Sequence, residues 1–383
     1  MKQIITIIAA FSFSTLFYQQ TIGLNLSIFS VLTILMLWWF NKMLFTKSKV
    51  WLMIAAYLLT AITVFINGSV LAVIANCAAF FTLVGVTSSC KTSIYVQWLN
   101  GFYTTIAGYF HRNFEVNEEE NNVDFKKDID VLHWVKLIGI PLVFIVVFIL
   151  LYKNGNPIFE DLISKINFKF INLHWILLTI LGYYLFNNIS QPVSVEPATM
   201  SDLKTINNLA ESSTISKEKS EKENQLGTTL LILLNLLIVF YIFTDIVYLL
   251  GETVDSASNY SAQVHKGVNA LIASIIIAII TILFFFRGDL NFYKKNRTIK
   301  GLTYTWIALN IVLIALISVK NYQYIITYGF TYKRIGVFVY LLLTLFGLIT
   351  TFLKVFNIKN LWYLFRINTQ IAFTACIVLS TVN

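Results

Sequence analysis

Seven charged or titratable side chains at the edges of long apolar segments are the candidates for chemistry in this sequence. They are Asp245, Glu252, Asp255, His265, Lys266, Lys333 and Arg334. Asp245 lies inside the apolar run 228–250, about five residues or 7.5 Å of helix from its end. A carboxylate within a membrane span is costly and marks a candidate proton or cation site. The structural alternative is an ion pair with Lys266, Lys333 or Arg334.

The other candidates surround two polar connections that follow apolar runs. His265, beside carboxylates at a membrane interface, could titrate near neutral pH, or it could cap and order the turn. Lys333 and Arg334 follow several tyrosines at a span boundary, where tyrosines commonly form an aromatic belt. These two cations either pair with Glu252 and Asp255 or present positive charge to an anionic lipid or ligand.

The composition places most of this chain in lipid. Of 383 residues, 57% are hydrophobic and 12% are charged, about half of the roughly 25% charged residues of a soluble protein. The apolar runs have the length of membrane-spanning helices and do not alternate as barrel strands do. The sequence therefore predicts an all-α, polytopic transmembrane helix bundle. The net charge of +9 fits the positive-inside bias of membrane proteins better than nucleic-acid binding.

Metal and cofactor sites are not indicated by the spacing of the usual ligands. The three cysteines are far apart, and no two of the four histidines are three or four residues apart. We therefore predict no metal, no cofactor and no bound nucleic acid. The amides Asn76, Asn310 and Gln370 fall within apolar runs, where we expect them to bond between helices rather than to line a transport path.

Eleven apolar runs are candidate spans, namely residues 4–17, 24–40, 50–66, 70–86, 132–151, 173–186, 228–250, 268–286, 303–319, 335–353 and 361–382. With the N-terminus in the cytoplasm, 21 of the 28 Lys and Arg residues fall on the inner side and 7 on the outer side. The positive-inside rule then predicts a cytoplasmic N-terminus and an outer C-terminus.

Three longer connections interrupt this series. Residues 92–110 carry an aromatic stripe at helical spacing, which predicts an amphipathic helix lying in the inner interface or packed on the protein's own inner face. A second interfacial helix is predicted after Asn156, whose side chain can cap it. Residues 189–226 are rich in Ser, Glu, Lys and Asn and predict a flexible cytoplasmic linker. The linker divides a six-span N-terminal bundle (1–188) from a five-span C-terminal bundle (227–383).

Three motifs in the C-terminal half carry a resemblance to a known family. They are Glu223-Asn-Gln-Leu-Gly227, Tyr260-Ser-Ala-Gln-Val-His-Lys-Gly267 and Tyr328-Gly-Phe-Thr-Tyr-Lys-Arg334. Over residues 223–355 the chain resembles the bacterial family "domain of unknown function 4173", which is related to the group numbered 4153. The last motif reads roughly Tyr-Gly-Leu-Thr-x-x-Arg in that family, and Phe330 replaces the leucine here. In the second motif Lys266 stands where the family has arginine. The resemblance implies a polytopic membrane protein and no established activity.

The sequence favours an integral protein of the bacterial cytoplasmic (inner) membrane that is not an enzyme. We expect a scaffold, accessory or regulatory subunit that contacts the lipid bilayer and a membrane-protein partner, the latter through residues 189–226. The alternative is a transporter or lipid-handling protein with an outer-facing polar site around Asp245. A membrane-embedded transferase that uses His265 as its base is a third hypothesis.

Overall fold

The computed structural model describes residues 2–119, parts of 137–161, and residues 172–211, 217–250 and 257–382. Twelve α-helices lie wholly within these described ranges: α1 (Lys2–Phe17), α2 (Leu24–Phe40), α3 (Ser48–Asn67), α4 (Val70–Ser88), α5 (Ile94–Glu119), α6 (Leu173–Ser190), α7 (Glu196–Lys204), α8 (Lys217–Leu250), α9 (Ala257–Phe285), α10 (Arg297–Tyr328), α11 (Tyr332–Phe356) and α12 (Leu361–Val382). The described ranges contain no β-strand, so the prediction of an all-α fold is confirmed for them.

Six of the described helices are long and apolar enough to cross a membrane, namely α3, α4, α8, α10, α11 and α12. Shorter apolar helices are α1, α2 and the part of α9 from Leu271 to Phe285. The chain is thus a polytopic membrane protein. The predicted span 132–151 and the second interfacial helix lie mostly outside the described residues. Within the described part, the Asn156 side chain accepts hydrogen bonds from the backbone of Ile158 and Phe159, as its predicted capping role requires.

The helix bounds follow the apolar runs closely except at α8, α9 and α10, and α10 extends six residues before and nine residues after the predicted span 303–319. Helices α2 and α12 have the predicted bounds, whereas α8 and α9 each begin 11 residues before the predicted spans at 228 and 268. The polar connection between the predicted spans 228–250 and 268–286 is therefore helical from Ala257 onward. Polar residues such as Gln, Glu and Lys have high helix propensity and extend a helix without adding to its hydropathy.

The chain forms two compact units, and the helices α4 and α5 contribute to both. Unit 1 comprises residues 1–68, 83–88 and 100–194. In it α1 packs closely along α6, and a Cβ at Gly182 would lie 2.9 Å from the Phe13 ring. The fully buried Asn188 side chain accepts a hydrogen bond from the Tyr109 amide of α5 and donates one to the Thr105 carbonyl, each at 2.8 Å. The domain bounds at 188 and 226 stay a prediction.

Unit 2 comprises residues 69–82, 89–99 and 195–383, and its core is formed mainly by α8, α9, α10 and α11. Asn235 of α8 donates a hydrogen bond of 3.1 Å to the Leu302 carbonyl of α10. Further along both helices, Asp245 pairs with Lys320. Because the second contact lies closer to the C-terminus of both helices than the first, α8 and α10 run parallel. Every candidate site residue that the structure describes belongs to this unit.

The first part of α5 lies in unit 2 and uses its aromatic stripe for packing. Trp98 donates a hydrogen bond of 2.7 Å from its indole nitrogen to Thr82, and its ring meets Phe373 edge-on. In unit 1 the stripe continues with Phe102 and Ile106, both of which are exposed. Residues 94–98 are thus packed on the protein itself, whereas the following turns have apolar side chains on the surface.

Candidate functional site around two ion pairs

Asp245 forms an ion pair with Lys320 in the membrane-spanning part of unit 2. The Asp245 residue is 8% exposed, and its Oδ1 accepts a hydrogen bond from the Lys320 Nζ. Its Oδ2 is buried and has no hydrogen-bond partner among the described residues. The sequence suggested Lys266, Lys333 or Arg334 as the cation, and the structure corrects this to a residue of α10. The parallel course of α8 and α10 brings these two helix ends together.

The other predicted site residues are not brought to Asp245 by the described structure. Glu252 and Asp255 lie outside the described residues. His265 and Lys266 belong to α9, but their side chains also lie outside the described part. Lys333 is exposed in the first turn of α11. The grouping of these residues into one outer site stays a prediction.

Arg334 fastens the turn between α10 and α11. Its guanidinium lies 4.0 Å from the Tyr324 ring centroid and donates a hydrogen bond to the Gly329 carbonyl. Asn321 in turn donates to the Arg334 carbonyl at 3.0 Å. Gly329 has φ +82° and ψ 177°, a region of backbone conformation that is essentially restricted to glycine. The Tyr-Gly-x-Thr-x-x-Arg pattern is therefore explained locally as a helix-turn-helix connection.

A second ion pair, between Asp202 and Arg366, lies at a junction of three chain segments. The Asp202 carboxylate accepts hydrogen bonds from the Ser93 amide at 2.7 Å and the Tyr95 hydroxyl at 2.8 Å. Arg366 donates to Asp202 Oδ1 from Nε at 3.2 Å and from Nη2 at 3.0 Å. Its Nη1 donates to Asn207 at 2.6 Å. The pair is buried, with side chains that are 5% and 17% exposed.

Hydrogen bonding sets the electrostatics of this junction. Burial by itself would raise the pKa of the Asp202 carboxyl, but the hydrogen bonds from Ser93, Tyr95 and Arg366 outweigh it, so that the pKa is lowered. The Tyr95 pKa is raised, first by burial and also by the neighbouring Asp202 charge. Asp202 also lies at the N-terminus of α5, where a negative charge is favourable. The junction therefore holds an ionised carboxylate.

Backbone pairing extends the junction from α7 to the turn before α12. Asn208 and Lys359 form an antiparallel bridge, and the Leu209 amide donates to the Ile358 carbonyl at 3.0 Å. Ile358 has φ +50°, which is unusual for a β-branched residue and costs on the order of 1–3 kcal/mol. The surrounding contacts must hold this conformation. Residues 196–209, within the predicted linker, are thus held to the start of α12 over this stretch.

A comparison with known families gives a match that covers nearly the whole chain. The sequence profile described as Domain of unknown function (DUF4153) matches residues 5–383. The chain belongs to the DUF4153 family. This is the group that the sequence resemblance placed second, and membership in the related group 4173 stays a prediction. No curated protein and no solved structure shows significant similarity to the chain.

In this DUF4153 chain the Asp202 junction is the feature that sequence reasoning missed. Asp202 and Arg366 are 164 residues apart, and neither belongs to a motif with a known ligand spacing. The available signal was local: Glu196 and Pro197 are favourable in the first turn of a helix, and Lys204 in its last turn. That signal predicts the helix α7 but not the partner of its carboxylate.

The two ion pairs of the DUF4153 chain have different chemical capacities. Both oxygens of Asp202 accept hydrogen bonds, so this carboxylate is committed to holding chain segments together. Asp245 has one oxygen without a described partner, so a hydrogen-bond donor or a cation could contact it there. Among the described residues, no group of three or more His, Cys, Asp or Glu side chains is arranged to hold a metal ion.

Proposed function

We propose that this DUF4153 protein is a multi-pass protein of the bacterial cytoplasmic membrane that acts as a non-enzymatic scaffold, accessory or regulatory subunit. It binds a membrane-protein partner through the inner connection between α6 and α8. The proposal keeps eleven spans, with the N-terminus in the cytoplasm and the C-terminus outside. The observation that carries it is the charged start of α8.

Helix α8 continues as a charged surface helix at its N-terminal end. Residues 217–227 precede the apolar run by 11 residues, which is about 16 Å of helix. Glu218 and Lys222 form an ion pair at 2.6 Å while their side chains remain 79% and 73% exposed. Glu221 is exposed on the same turns. A rigid helix that carries exposed charges of both signs, continuous with a membrane span, is suited to docking a partner.

The sidedness of the proposal is supported by which connections meet in unit 2. The Asp202 junction joins residues 93–95, 202–209 and 358–366, and the positive-inside count assigns all three stretches to the inner face. Arg287, also assigned to the inner face, contacts Glu223 of α8 at 3.2 Å. Cysteine labelling tests this assignment: a thiol reagent that cannot cross membranes should label Lys333→Cys in intact cells, and Lys359→Cys only after permeabilisation.

A photo-crosslinking residue in the charged start of α8 tests the partner hypothesis. Placed at Glu221, it should capture one protein in native membranes, and exchanging the charges of Glu218 and Lys222 should abolish the product. The control is Leu237, which is 64% exposed on the same helix within the span. The same protein captured at both positions, or nothing at Glu221, would contradict the proposal.

The second candidate function is transport of a proton or cation, and one observation favours it. Asp245 keeps a buried carboxylate oxygen without a described partner beside Lys320, as expected of an ionisable group that changes partner during transport. Proteoliposomes with Asp245→Asn should then lose proton-linked flux while the exposed Glu218→Gln variant retains it. Equal flux in wild type and Asp245→Asn would remove this candidate.

A further inference from the structure

Helix α12 is the least apolar and the least buried of the six helices that can span a membrane. Its most apolar window has a mean hydropathy of 1.3 and is 11% buried, whereas the other five range from 2.0 to 2.5 in hydropathy and from 28% to 61% in burial. A polar helix is expected to turn its polar side chains toward protein. In α12 several of them are exposed instead.

Gln370 is the clearest of these outward polar groups. It is the tenth residue of the 22-residue helix and therefore lies near the middle of the span. Its side chain is exposed, and its amide forms no hydrogen bond with any residue that the structure describes. Thr374 lies one turn further on and is also exposed. Lipid chains offer no hydrogen bonds, so an amide at this depth requires a polar partner from another protein surface.

Gln370 and Thr374 lie in a groove between α11 and α12. The groove has a volume of about 420 Å³ and is otherwise apolar, with Val339, Leu342 and Phe346 on the α11 side and Val378 on the α12 side. An acyl chain could fill this volume, but it would leave the amide without a partner. A helix with a polar side chain at the same depth would pack against the apolar walls and would also form a hydrogen bond with the amide.

We propose that a second copy of this chain covers the groove, with α12 packing against α12 about a two-fold axis normal to the membrane. Copies inserted with the same topology place equivalent residues at equal depth, so Gln370 of each copy meets Gln370 of the other. An amide both donates and accepts hydrogen bonds, which makes this contact self-complementary. The smaller Thr374 and Ala375 allow the helices to approach closely. The dimer goes beyond the scaffold role, since its surface is distinct from the charged start of α8.

Disulfide crosslinking in native membranes tests the two-fold contact. The background is the full chain with Cys77, Cys90 and Cys376 replaced by serine. Thr374→Cys should form a covalent homodimer under mild oxidation. Ala372→Cys is the matched control, because it is exposed on the same helix at nearly the same depth but points to the opposite side. Equal crosslinking at both positions, or none at Thr374→Cys, would overturn the proposal.

The contribution of the amide is measured by the monomer–dimer equilibrium in liposomes, followed by single-molecule photobleaching. Gln370→Leu is compatible with lipid and should fold, and we expect it to raise the dimer dissociation constant by about 3- to 30-fold, the range given by one interhelical polar contact. Ala372→Leu should leave the constant unchanged. A wild-type chain that stays monomeric, a complex with a different protein at this groove, or an unchanged constant in Gln370→Leu would each overturn the dimer.

Discussion

Asp202 and Asp245 are equally exposed, at 8% each, yet their carboxylates are satisfied to different degrees. Asp202 accepts from a backbone amide, a tyrosine hydroxyl and a guanidinium, so both of its oxygens are used. Asp245 has a single described partner, Lys320. Removing one partner of a buried ion pair leaves an uncompensated charge and is expected to cost about 3–5 kcal/mol. At the residue scale, therefore, the contribution of each pair can be measured as a change in the stability of the protein.

The Asp202 junction predicts a stability change in acid. The folded-state pKa of Asp202 is lowered, below an ordinary value of about 3.9. Its contribution is therefore complete above the ordinary pKa and is lost as the pH falls through the folded-state value. Below about pH 4 the melting temperature of the wild type should fall more steeply than that of Asp202→Asn. Glu221→Gln, an exposed control, should follow the wild type. Parallel profiles for Asp202→Asn and wild type would contradict the role of this carboxylate.

The Asp245–Lys320 pair predicts non-additive stability changes. Lys320→Met leaves the Asp245 carboxylate without its cation and should destabilise the protein by about 3 kcal/mol. The double variant Asp245→Asn/Lys320→Met removes both charges and should be more stable than Lys320→Met alone. Thermal unfolding of the four proteins of the cycle in one detergent measures the coupling. Strictly additive changes would show that the two side chains do not act as a pair.

At the scale of elements, hydropathy predicted most helices but not the polar ends of α8, α9 and α10. The bounds of α2 and α12 follow from apolar runs that begin and end at polar residues. Helices α8 and α9 each include 11 mostly polar residues before the apolar run, where hydropathy gives little signal. The short helix α7 begins at Glu196, within the predicted linker 189–226. Its Pro197 fixes the first turn.

Gly227 allows α8 to pack closely against its neighbours. A Cβ at this position would lie 2.4 Å from Ile299 and 3.0 Å from Phe285. Gly227→Ala should therefore destabilise the protein by about 1–3 kcal/mol through overpacking. Gly301→Ala is the matched control, because no atom lies within 4 Å of its Cβ position in α10, and it should stabilise the helix by about 0.5–1 kcal/mol. Equal effects of the two substitutions on the melting temperature would contradict the close approach.

At the scale of the whole molecule, the sequence predicted the membrane environment and the all-α class, but not the ion pairs that form the candidate site. Low charge and long apolar runs identify a membrane protein, because lipid is the solvent in which so much apolar surface is stable. The pairs Asp202–Arg366 and Asp245–Lys320 join residues 164 and 75 positions apart. No local pattern encodes such distances, so Asp202 was missed and the cation partner of Asp245 was wrong.

Purification of the tagged protein from native membranes in mild detergent, followed by mass spectrometry, tests the scaffold role most directly. The account predicts a stoichiometric membrane-protein partner that is retained by the wild type and lost when the charges of Glu218 and Lys222 are exchanged. Loss should occur without a change in melting temperature, since both side chains are exposed. A protein that carries only a defined lipid or small molecule, with no partner, would contradict the scaffold role and favour transport at Asp245.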